Sequence, residues 1–160
     1  MPLVILLFFI YSTSSYIDIS QFGIYIGCPW YNYVFYSFIH LNIIHLLTNS
    51  LLFLFYWKSI RQMSKCIVIP IIVSATILSS VMSVYSQPTI GLSASIMSMA
   101  GIITSTLQWR KQLKIVILFA ISCTITIMFA SNINTLIHIY SFIFSLIISL
   151  ILRRFLYDRN

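Results

Sequence analysis

A serine two residues after a glycine, at the head of an apolar stretch, stands in the run Thr89-Ile90-Gly91-Leu92-Ser93-Ala94-Ser95. If a helix opens at Ser93, its first N–H groups have no partner within the helix and carry the positive end of the helix dipole. A nucleophilic Ser93 Oγ would then have an oxyanion site in outline beside it. Few side chains could assist it. The chain has three histidines, His40, His45 and His138, and its only acidic residues are Asp18 and Asp158.

That scarcity excludes several chemistries. Two aspartates outside the apolar segments cannot make a paired-aspartate intramembrane protease, and without a glutamate there is no His-Glu-x-x-His zinc site. His40 and His45 are five apart, about 140° around a helix, which disfavours a two-histidine metal face; no metal and no cofactor is expected. What remains is a serine activated by histidine without a carboxylate, Ser93 with His138, which suffices if a buried site holds the imidazole in place. His45 and Asn49 are four apart, about 40° around a helix axis, so both can point at one reacting carbonyl as oxyanion donors. A plainer use exists for each residue. Ala94, Ser98, Gly101 and Ser105 make the small-residue face that close helix packing needs, and a polar group in a membrane helix can simply bond a neighbouring helix.

The elements that must position these residues are membrane helices. Of 160 residues, 60% are hydrophobic and only 7% charged, and the mean hydropathy is +1.01, so a soluble domain with a polar surface is not available. Six apolar segments are expected, at residues 3–17, 34–57, 66–85, 93–108, 113–130 and 135–152, in a single domain covering 1–160. The first could be mistaken for a signal peptide, but no Lys or Arg precedes it and no A-x-A site follows it. Residues 18–33, rich in Tyr, Trp and Gly, read as an interfacial aromatic loop.

The formal charge of +7 comes from three clusters, Lys58/Arg61/Lys65, Arg110/Lys111/Lys114 and Arg153/Arg154/Arg159, at the ends of apolar segments. That is a topology signal and not a nucleic-acid patch, and the partner it implies is the lipid bilayer. Alternating the segments puts all three clusters on one side, which the positive-inside rule makes cytoplasmic, with both termini there. Cys28, Cys66 and Cys123 have no CxxC spacing and read as free thiols. Counted back from the basic ends at 1.5 Å per residue, Ser93 lies roughly 26 Å and His138 roughly 22 Å above Arg110 and Arg153, and His40, His45 and Asn49 lie roughly 27, 20 and 14 Å above Lys58. Every histidine therefore shares the outer half of the bilayer with Ser93, and ionisable groups at that depth are functional-site candidates by default.

The pattern His40-x4-His45-x3-Asn49, then Gly91-x-Ser93, then His138 near the start of the last segment resembles the rhomboid intramembrane serine proteases, over nearly the whole chain as a six-helix core. The resemblance implies that Ser93 is the nucleophile, His138 the general base, His45 and Asn49 oxyanion donors with the Ser93 amide, and His40 a structural residue of the second helix. It also implies an outer-leaflet position for residues 31–36. The chain departs from the family pattern at five positions. It has Ala94 where the family usually has Gly, Met97 in place of an aromatic that stacks on the base, Ser141 and Ser145 in place of glycines, and Asn32 in place of a first-loop arginine. The expected function is hydrolysis of peptide bonds in or near the spans of transmembrane protein substrates, in a multi-pass protein of a bacterial cytoplasmic membrane. The alternatives are a catalytically inactive rhomboid-like protein that binds or escorts membrane clients, and a small carrier or assembly subunit.

Overall fold

A computed structural model of the chain describes residues 6, 7, 10, 11, 18, 21–83, 86–129 and 133–156. Among them the regular structure is all helical: α1 (Asn32–Phe35), followed by a 3-10 turn (Tyr36–Phe38), then α2 (Ile43–Ile60), α3 (Lys65–Met82), α4 (Ser93–Thr106), α5 (Trp109–Phe129) and α6 (Thr135–Ile151), with a 3-10 turn at Arg153–Phe155. Three of these, α2, α3 and α5, are long and apolar enough to cross a membrane, and α6 is a shorter apolar helix. The expected first span, residues 3–17, lies outside the described residues except for Leu6, Leu7, Ile10 and Tyr11. Leu7 is buried in one cluster with Leu46, Leu92 and Ile96, and Tyr11 packs against it. That places Leu7 and Tyr11 beside α2 and the start of α4. Arg159 and Asp158 also lie outside the described residues.

Helix α4 is the centre of the bundle, in contact with α2, α3 and most extensively α6. Its small-residue face explains why. Ala94, Ser98 and Ser105 are fully buried, and Gly101 lies so close to α6 that an added Cβ would run into Ser145 Oγ and come within 2.5 Å of the Phe142 carbonyl oxygen. In lipid, where apolar burial gives helices no preference for one another, such close backbone approach is the main source of association. Several buried hydroxyls are satisfied locally: Ser98 donates to Ala94 O (3.1 Å), Ser105 to Ile102 O (2.6 Å) and Ser145 to Phe142 O (3.0 Å). Others cross between helices. Ser79 of α3 and Ser141 of α6 share a bond of 2.6 Å, and Thr76 of α3 meets Ser95 of α4 at 3.2 Å. Ser141 and Ser145, where the resemblance led to an expectation of glycine, thus still allow tight packing, because one hydroxyl bonds across to α3 and the other folds back on its own helix.

Two boundaries differ from the expectation. The apolar segment 34–57 is not one helix: the backbone is non-helical from Ile39 to Asn42, because Asn42 adopts an extended conformation and its side chain accepts the His45 N–H at 2.8 Å, capping α2. The Arg110–Lys114 stretch is not a connection either. It belongs to the first turns of α5, whose start is fixed by Lys111 and Gln112 N–H bonds to Gln108 O. Only Leu107 and Gln108 join α4 to α5. Apart from the stacking of Phe119 on Phe142 of α6 (4.3 Å between centroids), α5 makes little contact with the bundle, and its long row of exposed apolar side chains suits a lipid-facing helix.

The basic clusters lie at one end. Ser64 N–H bonds Leu156 O at 2.7 Å, and the Arg153 guanidinium donates to Thr106 O (3.2 Å), so the α2–α3 turn, the C-terminal end of α4 and the turn after α6 come together. A core of Ile60, Met63, Val68, Ile71, Ile72, Met99, Ile102 and Leu156 fills that end.

Candidate active site

At the opposite end a cavity of about 680 Å³ is lined by residues from α2, α4, α6 and the loops before them, among them His45, Asn49, Ser93 and His138. His138 Nε2 and Ser93 Oγ are 2.8 Å apart, across 45 residues of sequence. This is the reach a serine and its base need. Each side chain sits in the first turn of its helix: Ser93 opens α4, and His138 follows Asn134, whose side chain caps α6 by accepting the Ile137 N–H.

The start of α4 has no such cap. Its preceding residue, Leu92, makes no side-chain cap bond, and the first N–H to bond back is that of Ile96, to Leu92 O at 3.1 Å. Among the described residues, the N–H groups of Ser93, Ala94 and Ser95 are thus without a bond back to the helix, and of the three residues Ser93 lines the cavity. The approach to Ser93 is shaped by Gly91, with a φ of +110° that suits glycine. A Cβ there would stand 2.7 Å from His45 Cε1, 2.8 Å from His45 Nε2 and 3.2 Å from Asn49 Nδ2. Glycine thus lets the chain pass directly over the two polar side chains of α2. Asn49 is 5% exposed, and its Nδ2 is buried without a hydrogen-bond partner. A buried amide without a partner costs on the order of 1–3 kcal/mol, and Asn49 lines the cavity, so a water or a ligand there can accept from it.

His40 does not lie on the second helix as the resemblance implied. It stands in the non-helical stretch ahead of α2, buried, with Nδ1 3.3 Å from Phe38 O, and its ring meets that of His45 edge-on at 5.1 Å between centroids. The angular argument from a shared helix therefore does not hold for this pair; the linker brings the rings together. Asn32 is fully buried and donates from Nδ2 to Gly23 O at 2.7 Å, so it ties α1 to the segment before it. Met97 packs on the Leu7, Leu46, Leu92 and Ile96 cluster, while Ala94 is buried with Ile24, Tyr36 and Ile137.

Thr89, Tyr36, Asn42 and Asn134 contribute to the site without having been singled out in the sequence. Thr89 pairs its backbone in both directions with Ile24 (2.9 and 2.8 Å), Gly91 N–H bonds Tyr36 O (2.9 Å), and Asn134 donates to Ser83 O (2.7 Å) and Thr89 Oγ1 (3.1 Å). For Asn42 and Asn134 a signal was available, since an Asn immediately before an apolar periodic run is a common helix start. Nothing local marks Thr89.

A small all-helical membrane bundle with serine and histidine in contact at one cavity defines a class of candidate hydrolase. The family follows from comparison: the Rhomboid domain model matches residues 27–155, and the chain belongs to the rhomboid family, whose members are in general intramembrane serine proteases. No curated protein matches the chain.

Proposed function

We propose that the chain is an intramembrane serine protease that cleaves peptide bonds in or near the spans of membrane-protein substrates. The observation that carries this reading is the 2.8 Å contact between Ser93 Oγ and His138 Nε2 on a cavity into which an unpartnered Asn49 amide projects. Ser93 Oγ attacks the scissile carbonyl while His138 Nε2 takes its proton. The oxyanion that forms accepts from Asn49 Nδ2, His45 and the Ser93 N–H. As the tetrahedral species collapses, His138 returns the proton to the leaving amine and an acyl-serine remains. A water, deprotonated by His138, then attacks the ester and releases a carboxylic acid and free Ser93 Oγ. His40 supports His45 by ring contact, and no cofactor takes part.

The topology proposed with it has six spans, the first within residues 3–17, and both termini on the basic, cytoplasmic side of a bacterial inner membrane; what supports it is that the described residues of the three basic clusters lie toward the end away from the cavity. The test is covalent labelling of the full chain by a fluorophosphonate probe. Label is expected on the parent, absent in Ser93→Ala, steeply reduced in His138→Ala and retained in Ser95→Ala and Ser98→Ala. A folded parent that takes no probe and cuts no model substrate would replace this reading with that of a client-binding rhomboid-like protein.

A further inference from the structure

We propose that Asn134 and Thr89 form a clamp that fixes the separation of Ser93 and His138, so that both are positioning residues for the dyad; this rests on the protease reading above. The two pairs run in parallel. Asn134 Nδ2 meets Thr89 Oγ1 at 3.1 Å and His138 Nε2 meets Ser93 Oγ at 2.8 Å, both across 45 residues. Thr89 precedes Ser93, and Asn134 precedes His138, by four residues. The start of α6 is thus tied both to the first residue of α4 and to the loop that leads into it.

Asn134 lines the cavity but has nothing left to offer a substrate. Its two amide hydrogens go to Ser83 O and Thr89 Oγ1, and its Oδ1 accepts the Ile137 N–H. It is 6% exposed, and a buried amide with every group engaged works as scaffold. Thr89 in turn is held by its two backbone bonds to Ile24. The clamp therefore ties four segments to one point: the loop at Ile24, the end of α3 at Ser83, the approach to α4 and the start of α6.

The dyad needs such a device because, among the described residues, no second hydrogen bond orients the imidazole. In a serine–histidine–aspartate triad the carboxylate holds the ring. Here, among the described residues, the hydrogen bond of the His138 ring is the one to Ser93, so the ring's place depends on where the first turn of α6 sits. A misplacement of about 1 Å costs on the order of a hundredfold in rate.

The experiment uses the full chain in detergent and in lipid vesicles, measuring the rate constant of fluorophosphonate labelling, its final stoichiometry, and kcat and KM on a cleaved model substrate. Thr89→Val removes the hydroxyl at constant size and is expected to lower the labelling rate and kcat about thirty- to a hundredfold with KM within about twofold, while the final stoichiometry stays at the parent level. Thr89→Ser should restore the rate to within a few fold. Asn134→Ser keeps a capping side chain for α6 but loses both amide bonds; it should fall at least as far as Thr89→Val. The double variant should fall no further than Asn134→Ser alone, because both changes break one bond. A labelled parent whose Thr89→Val variant reacts at the parent rate overturns the clamp and leaves the protease reading standing, as does a double variant whose losses multiply. A loss of stoichiometry with an unchanged rate in the labelled fraction would make the bond structural only and also overturn it. A folded parent that takes no probe overturns the protease reading, and the clamp falls with it.

Discussion

Replacing Gly91 with alanine puts one methyl group where the site has no room for it. The added Cβ would sit 2.7 and 2.8 Å from two atoms of the His45 ring, against an ordinary contact of 3.4–4 Å, and 3.2 Å from Asn49 Nδ2. The ring must therefore retreat by about 0.7 Å or the loop must lift away from α2. The backbone at φ +110° adds strain of about 1–3 kcal/mol for a residue with a Cβ. The two effects separate in measurement. Strain lowers thermal stability, whereas displacement of the oxyanion donors lowers turnover by about 10²–10³, or about 2.7–4 kcal/mol of transition-state stabilisation. Cleavage of a model transmembrane substrate should show the loss in kcat, and labelling stoichiometry should report the folded fraction. In a His45→Ala background the same glycine change should cost much less, since the group it displaces is gone. Gly91→Ala cleaving within about threefold of the parent would refute the claim that Gly91 sets the position of the α2 donors.

Asn49→Ala and His45→Ala should each lower turnover by tens to about a thousandfold with folding largely intact, and parent-like turnover in both would leave the oxyanion to backbone groups alone. Gly101→Ala should destabilise the bundle by about 1–3 kcal/mol, read as a fall in melting temperature, because the obstructing Phe142 carbonyl is backbone and cannot swing aside. Cysteine-accessibility labelling should find positions 61 and 110 on one side of the membrane and position 31 on the other; positions 110 and 31 on the same side would sink the topology. Leucine placed at the small or helix-weakening residues of a cleaved substrate should suppress cleavage, because a helical peptide's carbonyls are engaged; unchanged cleavage would count against presentation from within the bilayer.

What the sequence disclosed and what it concealed divide along physical lines. The central helix, its small-residue face and the pairing of Ser93 with His138 were legible because composition forces helices in lipid and because only three histidines were available. The break at Ile39–Asn42 was not legible. In an apolar stretch hydropathy is the same on either side of it, and only the side chain of Asn42, one residue in a long run, turns the backbone out of helix and starts α2. The start of α5 was hidden for the opposite reason: Arg110, Lys111 and Lys114 ended the apolar pattern while being good helix formers. Tyr36 contributes through its backbone carbonyl, which carries no residue-type signal, and the Thr89 hydroxyl meets a residue 45 positions away that nothing near it in sequence reveals.

The two ends of α4 explain why a cavity should exist here. With 14 residues the helix is about 21 Å long, shorter than a hydrocarbon core of about 30 Å, so neither end can rely on bulk water for its unbonded groups. At the basic end protein side chains meet that need: Gln112 Nε2 donates to Ser105 O (3.0 Å) and Leu107 O (2.9 Å), and Arg153 donates to Thr106 O (3.2 Å). At the other end α2 and α6 have asparagine caps and α4 has none. Unbonded N–H groups facing lipid would each cost several kcal/mol; facing a cavity of about 680 Å³ they can be hydrated. The same opening that makes the helix start tolerable in a membrane sets Ser93 beside His45, Asn49 and His138 on one cavity, where under the proposed function its N–H receives a developing negative charge.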